Sequence, residues 1–291
     1  MPPHKTWLEV ALNGVWTRRL QPLIPVAPGE IIAEGIAAVR AGAAIVHLHA
    51  YDAQSGRQRD DADLYAQIFE GIRAEVDAIL YPTIPHIEPG PDAAERARRR
   101  YAAIEALAER GLLEWSVVDP GSVNVAPYAA IAAGREGFVY INSERDIRAG
   151  LAIAARHRFH PSYAIYEPGF IRLGAALHRR HPEVPRPIYR LMFSDEIAFG
   201  FPPAPFALAA YRELLRREAP HAAWMAAAYG ADILPLIPEV VAAGGHVRVG
   251  LEDAPLGTAV GNGEWVRRAA DAICAAGGSL ATAAEVRAEL G

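Results

Sequence analysis

The chain has 291 residues, longer than an ordinary domain but compatible with one large domain of about 250 residues. Apolar residues make up 52% and charged residues 22%, and the net charge of −5 comes with no polybasic run, which argues against a nucleic-acid partner held through phosphates. The opening MPPHKTWLEV lacks the apolar core of a signal peptide and no apolar run approaches the roughly 18 residues of a membrane span, so a cytoplasmic location without membrane contact is expected.

Along the chain, apolar runs alternate with helical patterns. Strands are predicted at Thr6–Asn13, Ala44–Ala50, Ala78–Ile84, Trp115–Val118, Tyr163–Glu167, Ile188–Phe193, Ala222–Ala228 and His246–Glu252. Helices are predicted at Pro28–Ala41, Asp63–Val76, Ala93–Glu109, Asp146–Arg158, Phe170–Arg180, Pro205–Glu218, Ile233–Ala243 and Glu264–Ala276. Asp60, Asp61 and Asp63 read as a helix start, where negative charge is favourable. The third helix is expected to carry a basic outer face from Arg96 to Arg100, and Asp119-Pro120-Gly121-Ser122 reads as a turn. The Gly/Pro clusters Glu88–Pro91 and Phe201–Pro205 are short enough for loops, and His157, His160, His178 and His181 sit in basic surface stretches with no assigned role.

Eight such β–α units predict an α/β protein, a (β/α)8 TIM barrel with parallel strands, as one domain over 1–291 with a C-terminal helical extension. The rival open doubly wound sheet needs a glycine-rich phosphate turn after its first strand, and Leu12-Asn13-Gly14-Val15-Trp16 is not one.

Two rare residues narrow the chemistry. Cys274 is the only cysteine, which excludes an intrachain disulfide and Cys-based zinc or iron–sulfur sites. Lys5 is the only lysine and precedes the first strand, which argues against Schiff-base chemistry; the other 28 basic residues are arginines.

In Ile45-Val46-His47-Leu48-His49-Ala50, residues two apart share a strand face, so His47 and His49 point one way while Val46, Leu48 and Ala50 point the other. The pair reads as ligands for zinc or a neighbouring divalent ion, with a hydrogen-bonded core pair as the alternative. On the last predicted strand His246, Arg248, Gly250 and Glu252 share the inner face, where Arg248 and Glu252 could equally form a structural ion pair. Catalytic groups of such barrels gather at the C-terminal ends of strands, and the second and eighth strands both flank the first. His47, His49 and Glu252 can therefore converge on one ion with an open position. Asn13, Thr83, His86, Ser122, Asn124 and Glu167 lie at or just after strand ends and complete a candidate rim, though each also suits a turn or cap.

These segments resemble the β-keto acid cleavage enzymes, the family that includes 3-keto-5-aminohexanoate cleavage enzyme. Ala41–His49 and Gly244–Asp253 carry most of the likeness. Pro25–Ile31, Gly121–Asn124, Val139–Asn142 and the tail Ala281–Arg287 support it. The resemblance implies a zinc-dependent barrel, usually a homo-oligomer and often a tetramer, that reacts a β-keto acid with acetyl-CoA to give acetoacetate and a new acyl-CoA. It implies His47, His49 and Glu252 as zinc ligands, Arg248 as a two-point grip on a substrate carboxylate, Asp253 as general base or proton relay, and Thr83 as the hydroxyl retained after the third strand. Asn13, Tyr51, Ser122, Asn124 and Glu167 are the remaining candidates for substrate contact.

The sequence also departs from the family pattern. The Thr-Thr-Gly-Gly-like segment reads Pro82-Thr83-Ile84-Pro85-His86, Arg-Asp after the histidines reads Tyr51-Asp52, the first strand's Thr-Gly reads Asn13-Gly14, and Ala164 stands where an acid is common. An amidohydrolase-like metal hydrolase is a weaker alternative, since the fifth and sixth predicted strands lack its histidines. A non-catalytic metabolite-binding barrel is the other.

Overall fold

The computed structural model describes residues 4–87 and 90–291, so part of the Glu88–Pro91 loop and the first three residues of the opening segment lie outside the described residues. In chain order the elements begin β1 (Leu8–Ala11), α1 (Pro28–Arg40), β2 (Ile45–Leu48), α2 (Ala62–Arg73), β3 (Ile79–Pro82), α3 (Ala93–Glu109) and β4 (Trp115–Val117). They continue β5 (Val123–Val125), α4 (Tyr128–Ala132), β6 (Phe138–Tyr140), α5 (Glu144–His157), β7 (His160–Ile165), α6 (Pro168–Arg180), β8 (Ile188–Phe193) and α7 (Pro205–Glu218). The last are β9 (Trp224–Ala228), α8 (Ile237–Ala242), β10 (His246–Val249), α9 (Asn262–Ala275) and α10 (Ala283–Leu290).

The chain forms two compact units, one of residues 1–83 with 225–291 and one of residues 84–224. In the first, the strands run parallel in the order β3-β2-β1-β10-β9. Their short runs are buried on both faces, as expected where helices cover a parallel sheet. β1 lies between β2 and β10, with Ala11 opposite His47 and Glu9 opposite Arg248. The pleat then puts Val10, Val46 and Val249 on the helix-facing side and Glu9, His47 and Arg248 on the other. α9 buries Trp265, Val266, Ala269 and Ile273 against β1 and β10. The C-terminal helix α10 starts on a reciprocal Thr282–Glu285 cap and is tied back by Trp7 Nε1, which donates to Glu289 at 2.9 Å.

The second unit holds the parallel strands β8, β7 and β4, flanked by α3, α5, α6 and α7. It also holds an antiparallel hairpin, β5 with β6, joined through α4. The sequence reading missed this hairpin, because three-residue strands are too short to show alternation and Asp119–Ser122 reads only as a turn. The expected basic outer face of α3 is corrected as well. Arg96 and Arg100 are buried, Arg96 paired with Asp146 of α5 and Arg100 bonded to Asn142 Oδ1 at 2.6 Å. Four residues apart, they share the face of α3 that packs on α5.

Most predicted strands were one to three residues too long, and β7 begins three residues earlier than expected. The consequential correction is at the last strand, which ends at Val249. Gly250 (φ +129°) breaks the extended backbone, and residues 250–254 turn back on themselves through Ala254 N donating to Gly250 O at 2.9 Å. Glu252 therefore reaches its position from a turn and not by strand alternation. Among the described residues, no helix is long and apolar enough to cross a membrane.

Gly250 is also where the turn meets β1, since a Cβ there would collide with the Ala11 carbonyl. Replacing Gly250 with Ala should cost on the order of 2–4 kcal/mol, strain and overpacking together, measured by urea unfolding. A change below about 0.5 kcal/mol would mean that the turn relaxes freely.

Candidate metal centre and its carboxylate cluster

His47 lies one residue before the end of β2 on the face away from the helices, and His49 follows just after the strand on the same side. Both are almost fully buried. Glu252 Oε2 lies 3.4 Å from His47 Nε2 and 3.6 Å from His49 Nε2. Four-coordinate zinc with ligand bonds of about 2.0–2.1 Å sets its donors roughly 3.3–3.5 Å apart, so these spacings fit one ion. His49 Nε2 and Glu252 Oε2 are buried without a hydrogen-bond partner, an expensive state unless something else uses their lone pairs. Among the described residues, these three form the one cluster of His, Cys and acidic side chains whose donor atoms converge in this way.

Each ligand is held by its neighbours. Asn13, fully buried, accepts from His49 N at 2.9 Å and donates to His49 O at 3.0 Å, which clamps the peptide of that histidine. Trp16 Nε1 donates to Glu252 O at 2.8 Å, and Gln21 donates to the neighbouring Leu251 O at 3.1 Å. Asn262 accepts from Leu251 N at 3.0 Å, which fixes the turn from the other side. Gly14 (φ +65°) lets the β1 loop approach closely, because a Cβ there would sit 2.6 Å from Glu252 Cγ.

Behind the ligands lies a buried guanidinium. Arg248 Nε and Nη2 donate to Asp253 Oδ2 and Oδ1 at 2.7 and 2.9 Å, while Nη1 reaches Glu9 at 3.2 Å and Nη2 lies 3.1 Å from Glu252. Tyr81 donates to the same Glu9 oxygen, and its ring lies 4.6 Å from that of His47. Three carboxylates thus share one cation in the interior. Burial by itself would raise the Glu252 carboxyl, but the Arg248 guanidinium beside it outweighs burial and holds the group well below its ordinary range. Asp253 goes the other way. Burial pushes its carboxyl up to about 6 against the pull of Arg248, and Glu252 and Glu9 add to the rise.

A family model described as beta-keto acid cleavage enzyme matches residues 5–291. The chain belongs to the beta-keto acid cleavage enzyme family. It is 28% identical over 84% of its length to the 3-oxoadipate:acetyl-CoA acetyltransferase of Cupriavidus necator, covering 79% of that protein. It is 25% identical over 93% of its length to the 3-keto-5-aminohexanoate cleavage enzyme of Fusobacterium nucleatum subsp. nucleatum, covering 92% of it. Among solved structures, ObcA in binary complex with oxaloacetate superposes with a TM-score of 0.69 at 20% identity, over 92% of this chain and 67% of that one. That likeness bears out the expected (β/α)8 barrel fold, and membership in the family displaces the amidohydrolase and non-catalytic alternatives.

Within this family member, several candidate residues have local duties. Arg248, expected to grip a substrate carboxylate, is 1% exposed with every guanidinium nitrogen engaged by a carboxylate of the protein. The Tyr51 hydroxyl donates to the carbonyls of Gly14 and Trp16, and burial with the nearby Glu252 charge raises its pKa. Thr83 is half-buried directly after β3. In the second unit, Ser122 Oγ accepts from Asn142 N at 2.9 Å and donates to Asn142 O at 3.1 Å, fastening the hairpin on which Asn124 is exposed. Glu167 precedes α6 and accepts from Gly200 N at 3.2 Å. His246 stacks on Trp7 with ring centroids 3.8 Å apart and accepts from Trp7 N, and burial drives its pKa well down, so it is a neutral core residue.

The sequence carries no clear sign of Glu9, Trp16, Gln21 and Asn262, nor of Gln58, whose Oε1 lies 2.9 Å from His49 Nδ1. Glu9 had a faint signal, a carboxylate in the middle of the apolar run Trp7–Leu12, whereas the others resemble ordinary loop residues. Because Arg248 compensates three buried carboxylates, Arg248→Met should destabilise the fold by about 3–5 kcal/mol, with Arg248→Lys costing less, as read by denaturant unfolding. Equal stability of Met and wild type would show that the cluster carries no uncompensated charge.

Proposed function

We propose that this chain cleaves a β-keto acid by acyl exchange with acetyl-CoA, giving acetoacetate and a new acyl-CoA, with one zinc ion held by His47, His49 and Glu252. The observation that carries the reading is the pair of buried, unpartnered donors, His49 Nε2 and Glu252 Oε2, set beside His47 in a member of this family. The name of the Cupriavidus relative, with acetyl-CoA as its second substrate, supports the acceptor. Charge supports the metal: the carboxylates of Glu9, Glu252 and Asp253 exceed the single Arg248 cation by two, and a divalent ion cancels that excess. Two imidazoles and a carboxylate suit zinc or a neighbouring divalent transition metal. Bound there, the ion supplies Lewis-acid polarisation of a carbonyl oxygen.

The chain's own residues supply orientation and proton transfer. Asp253 is the proposed general base, since a carboxyl near 6 is ionised at neutral pH yet more basic than an ordinary aspartate. Arg248 acts through it, fixing both carboxylate oxygens in a two-pronged grip, and is a positioning residue. Asn13 does the same for the peptide of His49, and Thr83 offers its hydroxyl at the end of β3. We also propose a cytoplasmic homo-oligomer, a tetramer, for which the exposed Tyr128, Ile131, Phe138 and Val139 provide apolar surface of the kind that subunit contacts cover.

Elemental analysis should find one zinc per chain, and chelation should abolish acetyl-CoA-dependent acetoacetate formation until zinc is restored. His49→Ala should lose metal and turnover while its circular dichroism stays native. Full turnover in metal-free protein overturns the reading.

Substrate preference follows from two charges of the family pattern that are missing here, at Tyr51 and Ala164. With its hydroxyl bonded to two backbone carbonyls, Tyr51 offers a ring and no charge, and a buried unpaired ammonium is strongly penalised. Neutral β-keto acids should therefore exceed cationic ones of equal length by about tenfold in kcat/KM, ~1.4 kcal/mol, in a panel assay with acetyl-CoA. A preference for the cationic member would reveal a compensating acid.

A further inference from the structure

His49 has two ring nitrogens, and the metal reading uses only one. The other, Nδ1, lies 2.9 Å from Gln58 Oε1. Gln58 is brought there by a closed loop. After His49 the chain turns through residues 51–58, with Asp52 N donating to Arg57 O and Gly56 N to Asp52 O, and Tyr51 and Gln58 pair as an antiparallel bridge. Arg59 N then donates to Ala50 O at 2.8 Å, which locks the returning arm against the end of β2.

The chemistry of the next contact fixes the direction of the first. Gln58 Nε2 lies 2.9 Å from both oxygens of Asp60, and an ionised carboxylate only accepts. The amide nitrogen must therefore face Asp60, so the amide oxygen faces His49. An amide oxygen also only accepts, so His49 Nδ1 must carry the proton. In the neutral ring, the form that can bind a metal, Nε2 is then a bare lone pair, and Nε2 is the atom that lies buried beside Glu252 without a hydrogen-bond partner. Tyr65, at the first turn of α2, donates to Asp60 Oδ1 at 3.2 Å and holds the far end of the chain of bonds.

We infer that Gln58 is a positioning residue for the metal centre, with Asp60 orienting its amide so that His49 is held in the tautomer that presents Nε2 to the ion. The inference rests on the metal reading above and deepens it by naming what prepares one ligand. Hydrogen-bond partners of this kind turn the ring to the correct angle and hold it before the ion arrives, and their removal weakens metal affinity about 10- to 100-fold. A neutral amide in this place polarises the imidazole less than a direct carboxylate would.

The test measures zinc affinity of the full chain by competition with a chromophoric chelator, with circular dichroism as a check on folding. Wild type should take up one zinc per chain, and Gln58→Met should bind it about 10- to 100-fold more weakly. The double variant Gln58→Glu with Asp60→Asn reverses the donor and acceptor between positions 58 and 60 but keeps an acceptor facing His49 Nδ1. It should recover affinity to within about threefold of wild type or exceed it. Folded Gln58→Met with wild-type affinity overturns the inference, as does a folded double variant as weak as Gln58→Met. If Gln58→Met does not fold, the double variant decides alone. A wild-type chain that takes up no zinc, or takes it up equally after His49→Ala, defeats the metal reading itself and is distinguishable from both.

Discussion

The guanidinium of Arg248 is the element on which the surrounding structure depends. A charge taken out of water is tolerated only when it is paired and its hydrogen bonds are satisfied, and here one cation serves Glu9 on β1, Glu252 in the turn and Asp253 beside it. The pairing joins two adjacent strands through their inner faces and fixes the turn that follows β10. It also sets the two acids apart: Glu252 is held ionised, while Asp253 is left the more basic of the two. Neighbouring residues of like chemistry thereby acquire different acidities from their environments alone.

Half of the candidate centre was legible because strand alternation is a strict rule. His47 and His49 had to share a face wherever the strand ended, and their spacing survives the error of two residues in its predicted end. Glu252 converges with the two histidines, but not through the alternation that pointed to it. Alternation was extended past Gly250, where the backbone has already left the strand, and the side chain arrives from a turn whose shape depends on Trp16, Gln21 and Asn262. Such long-range bonds leave no period in a sequence. Gln58 was invisible for the same reason, since nothing in Gly56–Asp60 announces that the loop folds back onto the strand it left.

The fold class was legible from repetition, and the misreadings have local causes. Arg96 and Arg100 looked like a solvated stripe because four arginines crowd one stretch of five residues. Their burial depends on Asp146 and Asn142, roughly 45 residues later, which turn two of them into internal links between α3 and the following segment. In a chain with a single lysine, arginine takes on the internal bonding that its planar, multidentate group performs well.

The unit that holds the centre is assembled from both ends of the sequence, with residues 84–224 intervening. On the ribosome, His47 and His49 emerge early, while Glu252 and Arg248 come some two hundred residues later. Until then β1 has β2 on one side and an open edge on the other, where β10 will pair. An exposed apolar edge invites association between nascent chains, and contacts of such long sequence separation form slowly. A chain stopped before β10 would therefore display that edge together with only two of the three side chains that cluster in the finished fold.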